Sequence, residues 1–134
     1  MCEPHHCIAG HNDAGMVNTP ERWQTFVDSL DYLCDRLKTE YPNARVGFVT
    51  PWAVDRPGFT EVINQIKTTA AKYGFPVLDN AYTSGIRVND PEFRALYFQN
   101  GGKNDTAHLN DAGHNLILPY GIAFIQLLAS QPRP

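Results

Sequence analysis

Apolar residues along the chain follow two rhythms, and the changes between them predict the elements. Trp23, Phe26, Val27, Leu30, Leu33, Cys34, Leu37 and Tyr41 recur at steps of three and four, the spacing that lines one face of a helix. Thr19-Pro20-Glu21 starts that helix with a hydroxyl cap, a proline whose missing N–H costs nothing there, and an acid at the positive end of the dipole. Pro42-Asn43 stops it. Thr60 to Tyr73 predicts a second helix, with Val62, Ile63, Ile66, Ala70 and Tyr73 inward and Gly74 beyond its end. Pro91 to Phe98 predicts a short helix. Asn110 or Asp111 then caps a last one that runs to about Ala129 and that Pro119 should kink, because its ring clashes with the carbonyl four residues back.

Short unbroken apolar runs mark the strands: His6 to Gly10, Arg45 to Thr50 and Phe75 to Leu78, each closed by turn formers or proline. Trp52 to Gly58, with two prolines and a glycine, is a loop at the exit of the second strand, a position that commonly carries specificity. Strand, helix, strand, helix, strand, helix is the order of an α/β protein whose parallel sheet is joined by crossover helices. Active residues in such a sheet gather at the C-terminal ends of the strands. Asn12, just past the first strand, and the loop before the last helix both belong to that end, which brings Asn12, Asp105 and His108 within reach of one another. Almost nothing precedes the first strand, so either it is an exposed edge, open to pairing with another copy of the chain as a homo-oligomer, or its partner strands are missing.

Composition narrows the classes. With 134 residues, 43% of them apolar and 19% charged, and a net charge of −3, residues 1–134 are expected to form one globular domain. No basic stripe points to nucleic acid. The longest apolar run, Asn115 to Ala129, is broken by Pro119, Gly121 and Gln126 and is shorter than the roughly 20 residues of a membrane span, so no membrane partner is expected. The first residues have neither the basic start nor the apolar core of a secretory signal, and localisation stays open. Cys7 lies in an apolar run and Cys34 on an apolar helical face, so both read as small buried hydrophobes. Cys2, His5, His6 and Cys7 carry zinc-ligand chemistry, but adjacent strand residues point to opposite faces, so no metal site is expected.

The candidate chemistry lies in Asp105-Thr106-Ala107-His108. A carboxylate three residues ahead of a histidine can orient the imidazole, which then takes a proton from a hydroxyl and returns it to a leaving group. This block resembles the D-x-x-H block, and Gly10-His11-Asn12-Asp13 the G-x-N-D block, of the SGNH (GDSL-type) hydrolases, a family of esterases, lipases, thioesterases and carbohydrate deacetylases. Tyr82 to Ile86 and His108 to His114 are also similar to that family. The resemblance implies a three-layer α/β/α, flavodoxin-like fold and assigns His108 as general base, Asp105 as its orienter and Asn12 as an oxyanion donor. An amide donor of that kind contributes roughly 3 kcal/mol to the transition state. The implied substrate is a small ester or an acylated carbohydrate, cleaved through an acyl-serine without a cofactor.

The family's nucleophilic serine stands in an N-terminal G-D-S block that these 134 residues lack, together with a glycine block. The resemblance therefore covers the later two thirds of a family domain, without its first two strands, and implies a truncated form with little activity. Ser29 lies within a helix, Ser130 follows the last one, and Ser84 alone is near the catalytic edge, on a loop without the marks of a strained elbow. His11 could line the pocket, and His114 is expected to pack or cap in the last helix. Asn104-Asp105-Thr106 matches a glycosylation pattern, but a sugar there would block the proposed site. The alternative to a hydrolase is a non-catalytic remnant of the fold used for binding or assembly.

Overall fold

The computed structural model describes residues 10–132. The predicted first strand, apart from Gly10, and the histidines and cysteines before it lie outside the described residues. The rest is a helix-rich α/β arrangement of α1 (Pro20–Glu40), β1 (Phe48–Val49), α2 (Phe59–Lys72), β2 (Val77–Leu78), α3 (Asn80–Thr83), α4 (Pro91–Tyr97) and α5 (Asp111–Ser130). β1 and β2 run parallel, Phe48 beside Val77 and Val49 beside Leu78, and α2 is the crossover between them.

The strands are shorter than the apolar runs that encode them. The Phe48 and Thr50 amides donate to Pro76 and Leu78 carbonyls at 2.9 Å each. Pro76 has no N–H to return, so the ladder cannot extend upstream along the second run. Alternation still sorts the first run between two faces. Phe48 joins Cys34 of α1 and Val62, Ile66 and Ala70 of α2 in one buried cluster. A Cβ on its neighbour Gly47 would stand 2.7 Å from the Phe124 ring and 2.8 Å from Leu128, both on α5. Glycine is what lets α5 approach that closely.

α1 begins at Pro20 as its sequence predicts, but the Thr19 hydroxyl makes no capping hydrogen bond, and the buried stripe is narrower. Cys34 is sealed, and burial pushes its thiol up to about 11. Trp23, Phe26, Leu30 and Leu37 pack beside it, while Leu33 and Tyr41 are exposed. Asp31 receives Lys72 Nζ at 2.5 Å and the Tyr73 hydroxyl at 3.0 Å, tying α1 to the end of α2. Gln99–Gly102 forms a 3-10 turn, so of the stretch Gly101 to Asn104, which its glycines predict to be a flexible approach, the first two residues are ordered and Gly102 is buried against Arg94.

α5 starts at Asp111 with Asn110 as its cap, the side-chain oxygen accepting the Gly113 N–H at 2.9 Å. It continues through Pro119 to Ser130. At 20 residues, with a mean hydropathy of 1.3 over an 18-residue window, it is long and apolar enough to cross a membrane by length and composition, so length no longer argues against a span. Phe124 and Leu128 bury themselves toward Gly47, yet Leu116, Leu118, Tyr120, Ile122, Ile125 and Leu127 are exposed.

Candidate active site

Asp105 closes a small turn on itself. One carboxylate oxygen accepts the Ala107 and His108 backbone N–H groups at 2.9 and 2.8 Å, and the other meets His108 Nδ1 at 2.7 Å. Those backbone donors, Ala107 first, and the imidazole hold the Asp105 carboxyl below the usual carboxylate range, against the opposing effect of partial burial. A carboxylate accepting at Nδ1 places the ring proton there and leaves the neutral imidazole's lone pair on Nε2. The His108 side chain is 68% exposed, against 20% for Asp105, so this pair presents a basic nitrogen outward from a partly covered anchor.

The backbone around the pair is pinned from three sides. The His108 carbonyl accepts the Gln99 N–H at 3.0 Å, and Asn110 donates to the Tyr97 carbonyl at 2.9 Å, flanking an antiparallel bridge of Phe98 with Leu109. The Asn110 side-chain amide adds bonds to the Leu96 and Phe98 carbonyls at 2.9 and 3.3 Å. Leu109 and Phe98, both 1% exposed, anchor the buried cluster beneath. On the remaining side Trp52 Nε1 donates to the Ala107 carbonyl at 2.7 Å.

Gly10 to Asp13 forms a tight turn, with the Asp13 N–H on the Gly10 carbonyl at 3.2 Å. Gly10 has a φ of +125°, and a Cβ there would press on Ile66 and Val62 at 3.3 Å, so backbone angle and space both favour glycine. His11 leaves this turn to meet the Trp52 carbonyl through Nε2 at 3.0 Å, and its ring stands edge-on to the Trp52 ring, centroids 5.2 Å apart. Burial is the main reason its pKa is lowered, and the charges of Arg56 and His108 lower it further. The block containing Asn12 and the block containing His108 are thus close enough to interact electrostatically and are connected through Trp52. Asn12 itself is exposed.

None of the three serines is free and close at hand. Ser84 is buried and its hydroxyl donates to the Asn80 carbonyl at 2.5 Å. Ser130 Oγ donates to the Leu127 carbonyl, and Ser29 is on the exposed side of α1. His114 neither caps nor fills the core. It is exposed, with its ring edge against Trp52 at 5.6 Å. Trp52 opens the loop that the sequence marks as a position for specificity, but nothing in the sequence singles out its side chain within that loop. A cleft of about 410 Å³ lined by Leu37, Tyr41, Arg45, Tyr73 and Phe75 contains none of Asn12, Asp105 or His108.

No family model matches the chain, and no curated protein does. Among solved structures, the crystal structure of a Lactobacillus plantarum protein, a structural-genomics target, is similar with a TM-score of 0.65 and 23% identity over 75% of this chain and 53% of that one. A second crystal structure gives 0.64 and 24%, over 76% and 52%. The chain spans about half the length of these solved structures, and the likeness is one of fold.

Proposed function

We propose that Asp105 and His108 are the acid–base half of an SGNH-type hydrolase centre acting on ester bonds, and that the serine it activates lies on polypeptide outside these 134 residues. The observation that carries this reading is the oriented pair itself, Nδ1 on a buttressed carboxylate in an exposed imidazole. Its tie through Trp52 to the turn bearing Asn12 adds a second group of the kind the reaction needs. Contacts of Gly47 with α5 and of Phe48 with α1 and α2 support the finer reading of a three-layer, flavodoxin-like fold.

In the reaction, His108 Nε2 takes the serine hydroxyl proton as Oγ bonds to the ester carbonyl carbon. The Asn12 amide donates to the oxygen that becomes negative. Collapse of that intermediate breaks the bond to the alcohol, which leaves with the proton from His108. Water repeats the cycle on the acyl-serine, releasing the acid and restoring Oγ–H. Asp105 stays ionised throughout, stabilising the imidazolium. A small ester or an acylated carbohydrate is the substrate class.

The test has two arms. The 134-residue chain should neither react with a fluorophosphonate probe nor turn over nitrophenyl acetate strongly. A polypeptide extended by the in-frame codons upstream of Met1 should do both, and His108→Ala should lower its turnover by about 10²–10⁴-fold. Strong labelling of the 134-residue chain would mean a substitute nucleophile and refute the account of the gap. An extended polypeptide inert to both reagents would sink the hydrolase reading.

The exposed apolar residues of α5 favour a second reading, a non-catalytic remnant that uses this helix for assembly, as a homo-oligomer or with another chain. A monodisperse monomer at high concentration would count against it.

A further inference from the structure

We infer that Trp52 is a positioning residue of the candidate site: its indole N–H fixes the turn that aims His108, and its backbone carbonyl locks the same piece of chain to the His11 turn. This rests on the proposed hydrolase reading for its purpose, though not for its geometry. The path is continuous. His11 Nε2 donates to the Trp52 carbonyl at 3.0 Å, and Trp52 Nε1 donates to the Ala107 carbonyl at 2.7 Å. The Ala107 and His108 amides then donate to Asp105, whose other oxygen holds the imidazole.

Three further observations separate this role from ordinary packing. Trp52 packs against two buried clusters, one containing Phe59, Ile63 and Ala107 and the other Phe93, Phe98 and Leu109, so its ring cannot swing away from Ala107 without disturbing both. His11 and His114 flank the ring edge-on at 5.2 and 5.6 Å. Ala107 is itself buried, and its carbonyl would lose a buried donor if the indole N–H were removed. The peptide plane that leads into His108 is therefore held at both ends, its Ala107 C=O accepting from Trp52 Nε1 and its His108 N–H donating to Asp105.

The experiment compares the 134-residue protein with Trp52→Phe, and with benzothienylalanine placed at position 52, a side chain of indole shape without the N–H. Carboxyl carbon NMR follows the Asp105 titration, and amide exchange follows Ala107. The expected result is an Asp105 midpoint moved up toward the ordinary carboxylate value, with Ala107 exchange faster by about tenfold, the equivalent of losing one hydrogen bond to a buried acceptor. Asp31, whose carboxyl is held down by Lys72 at a distant point of the fold, is the internal reference and should not move. An unchanged Asp105 midpoint with unchanged Ala107 exchange in the isosteric variant would overturn the inference, and so would equal shifts of Asp105 and Asp31, which indicate general loosening. Neither readout uses catalysis, so failure here leaves the hydrolase reading intact, and failure of the probe assays leaves this inference measurable.

Discussion

Gly113→Ala should destabilise the protein even though alanine is the better helix former. In an exposed helix interior the exchange favours alanine by roughly 1 kcal/mol. Here the added Cβ would stand 2.3 Å from the Tyr97 carbonyl oxygen and 3.0 Å from Leu109 Cβ. That carbonyl cannot simply retreat, because it already accepts the Asn110 N–H at 2.9 Å next to the Phe98–Leu109 bridge. Overpacking costs about 1–3 kcal/mol, and a strained or lost hydrogen bond to the half-buried Tyr97 carbonyl adds about 1–3 kcal/mol. Set against the gain in propensity, the net loss is about 1–5 kcal/mol. Urea unfolding followed by circular dichroism measures it, with Gly121→Ala as the control: the same helix, the same exchange, and no atom within 4 Å of the new Cβ. The control should hold or gain stability. If Gly113→Ala matched it, the start of α5 would not be clamped to Tyr97, and the account of how His108 is fixed would fail with it.

The remaining predictions concern charge, hydrogen bonding and surface. Because the Asp105 carboxyl is lowered in the folded state, its stabilisation is full above the ordinary carboxylate value of 3.8 and is lost as pH falls through the lowered one. The stability difference between the wild type and Asp105→Asn should therefore shrink on acidification below that value, and a pH-independent difference in urea midpoints would contradict it. His11 is a base lowered from 6.5 chiefly by burial, so it too favours the fold above 6.5 and less as pH falls through its folded value; His11→Gln should flatten the unfolding profile in that window. Thr50→Val removes the buried hydroxyl that accepts the Ala81 N–H at 3.1 Å, leaving that donor unpaired at a cost of about 1–3 kcal/mol, read from the thermal or urea midpoint. On the assembly reading, Leu118→Ser with Ile125→Ser moves a concentrated sample toward monomer in light scattering; an unchanged size would exonerate this flank of α5.

Helix starts were legible in the sequence because their signals are local. Thr19-Pro20 and Asp90-Pro91 need only neighbouring residues, and the Asn110 cap reaches no further than Gly113. The Asp105 and His108 pairing was legible for the same reason, since a turn of three residues closes it. Strand extent was not, because a strand ends where its partner stops donating, and Pro76 decides that for a segment some thirty residues away. The Trp52 side chain was not legible on similar grounds: its importance lies in a bond spanning 55 residues to a backbone carbonyl, which leaves no mark on the side chain that receives it. Leu33 and Tyr41 continue the helical rhythm of α1 yet are exposed, since periodicity shows which face is apolar but not how wide the covering surface is.

The exposed surface of α5 bears on where the serine would come from. At about 100° per residue, Leu116, Tyr120 and Leu127 fall on one flank of the stripe formed by Phe124 and Leu128, and Leu118, Ile122 and Ile125 on the other. A surface that covered both flanks would have to be wider than the two strands β1 and β2. Each of the six side chains is already about half covered, so completing its burial would return about 1 kcal/mol, or about 6 kcal/mol for all six before any cost. A separate molecule would first lose roughly 4–15 kcal/mol of translational and rotational freedom, and docking on one flank would recover only half of the gain. Insertion in a bilayer would have to strip Phe124 and Leu128 from Gly47 and bury Asp111, His114 and Asn115 in hydrocarbon. Polypeptide tethered to this chain bears neither cost, and added strands on both sides of β1 and β2 would reach both flanks. On the proposed hydrolase reading, the energetics of α5 therefore favour a serine on covalently connected polypeptide over one delivered by a partner chain.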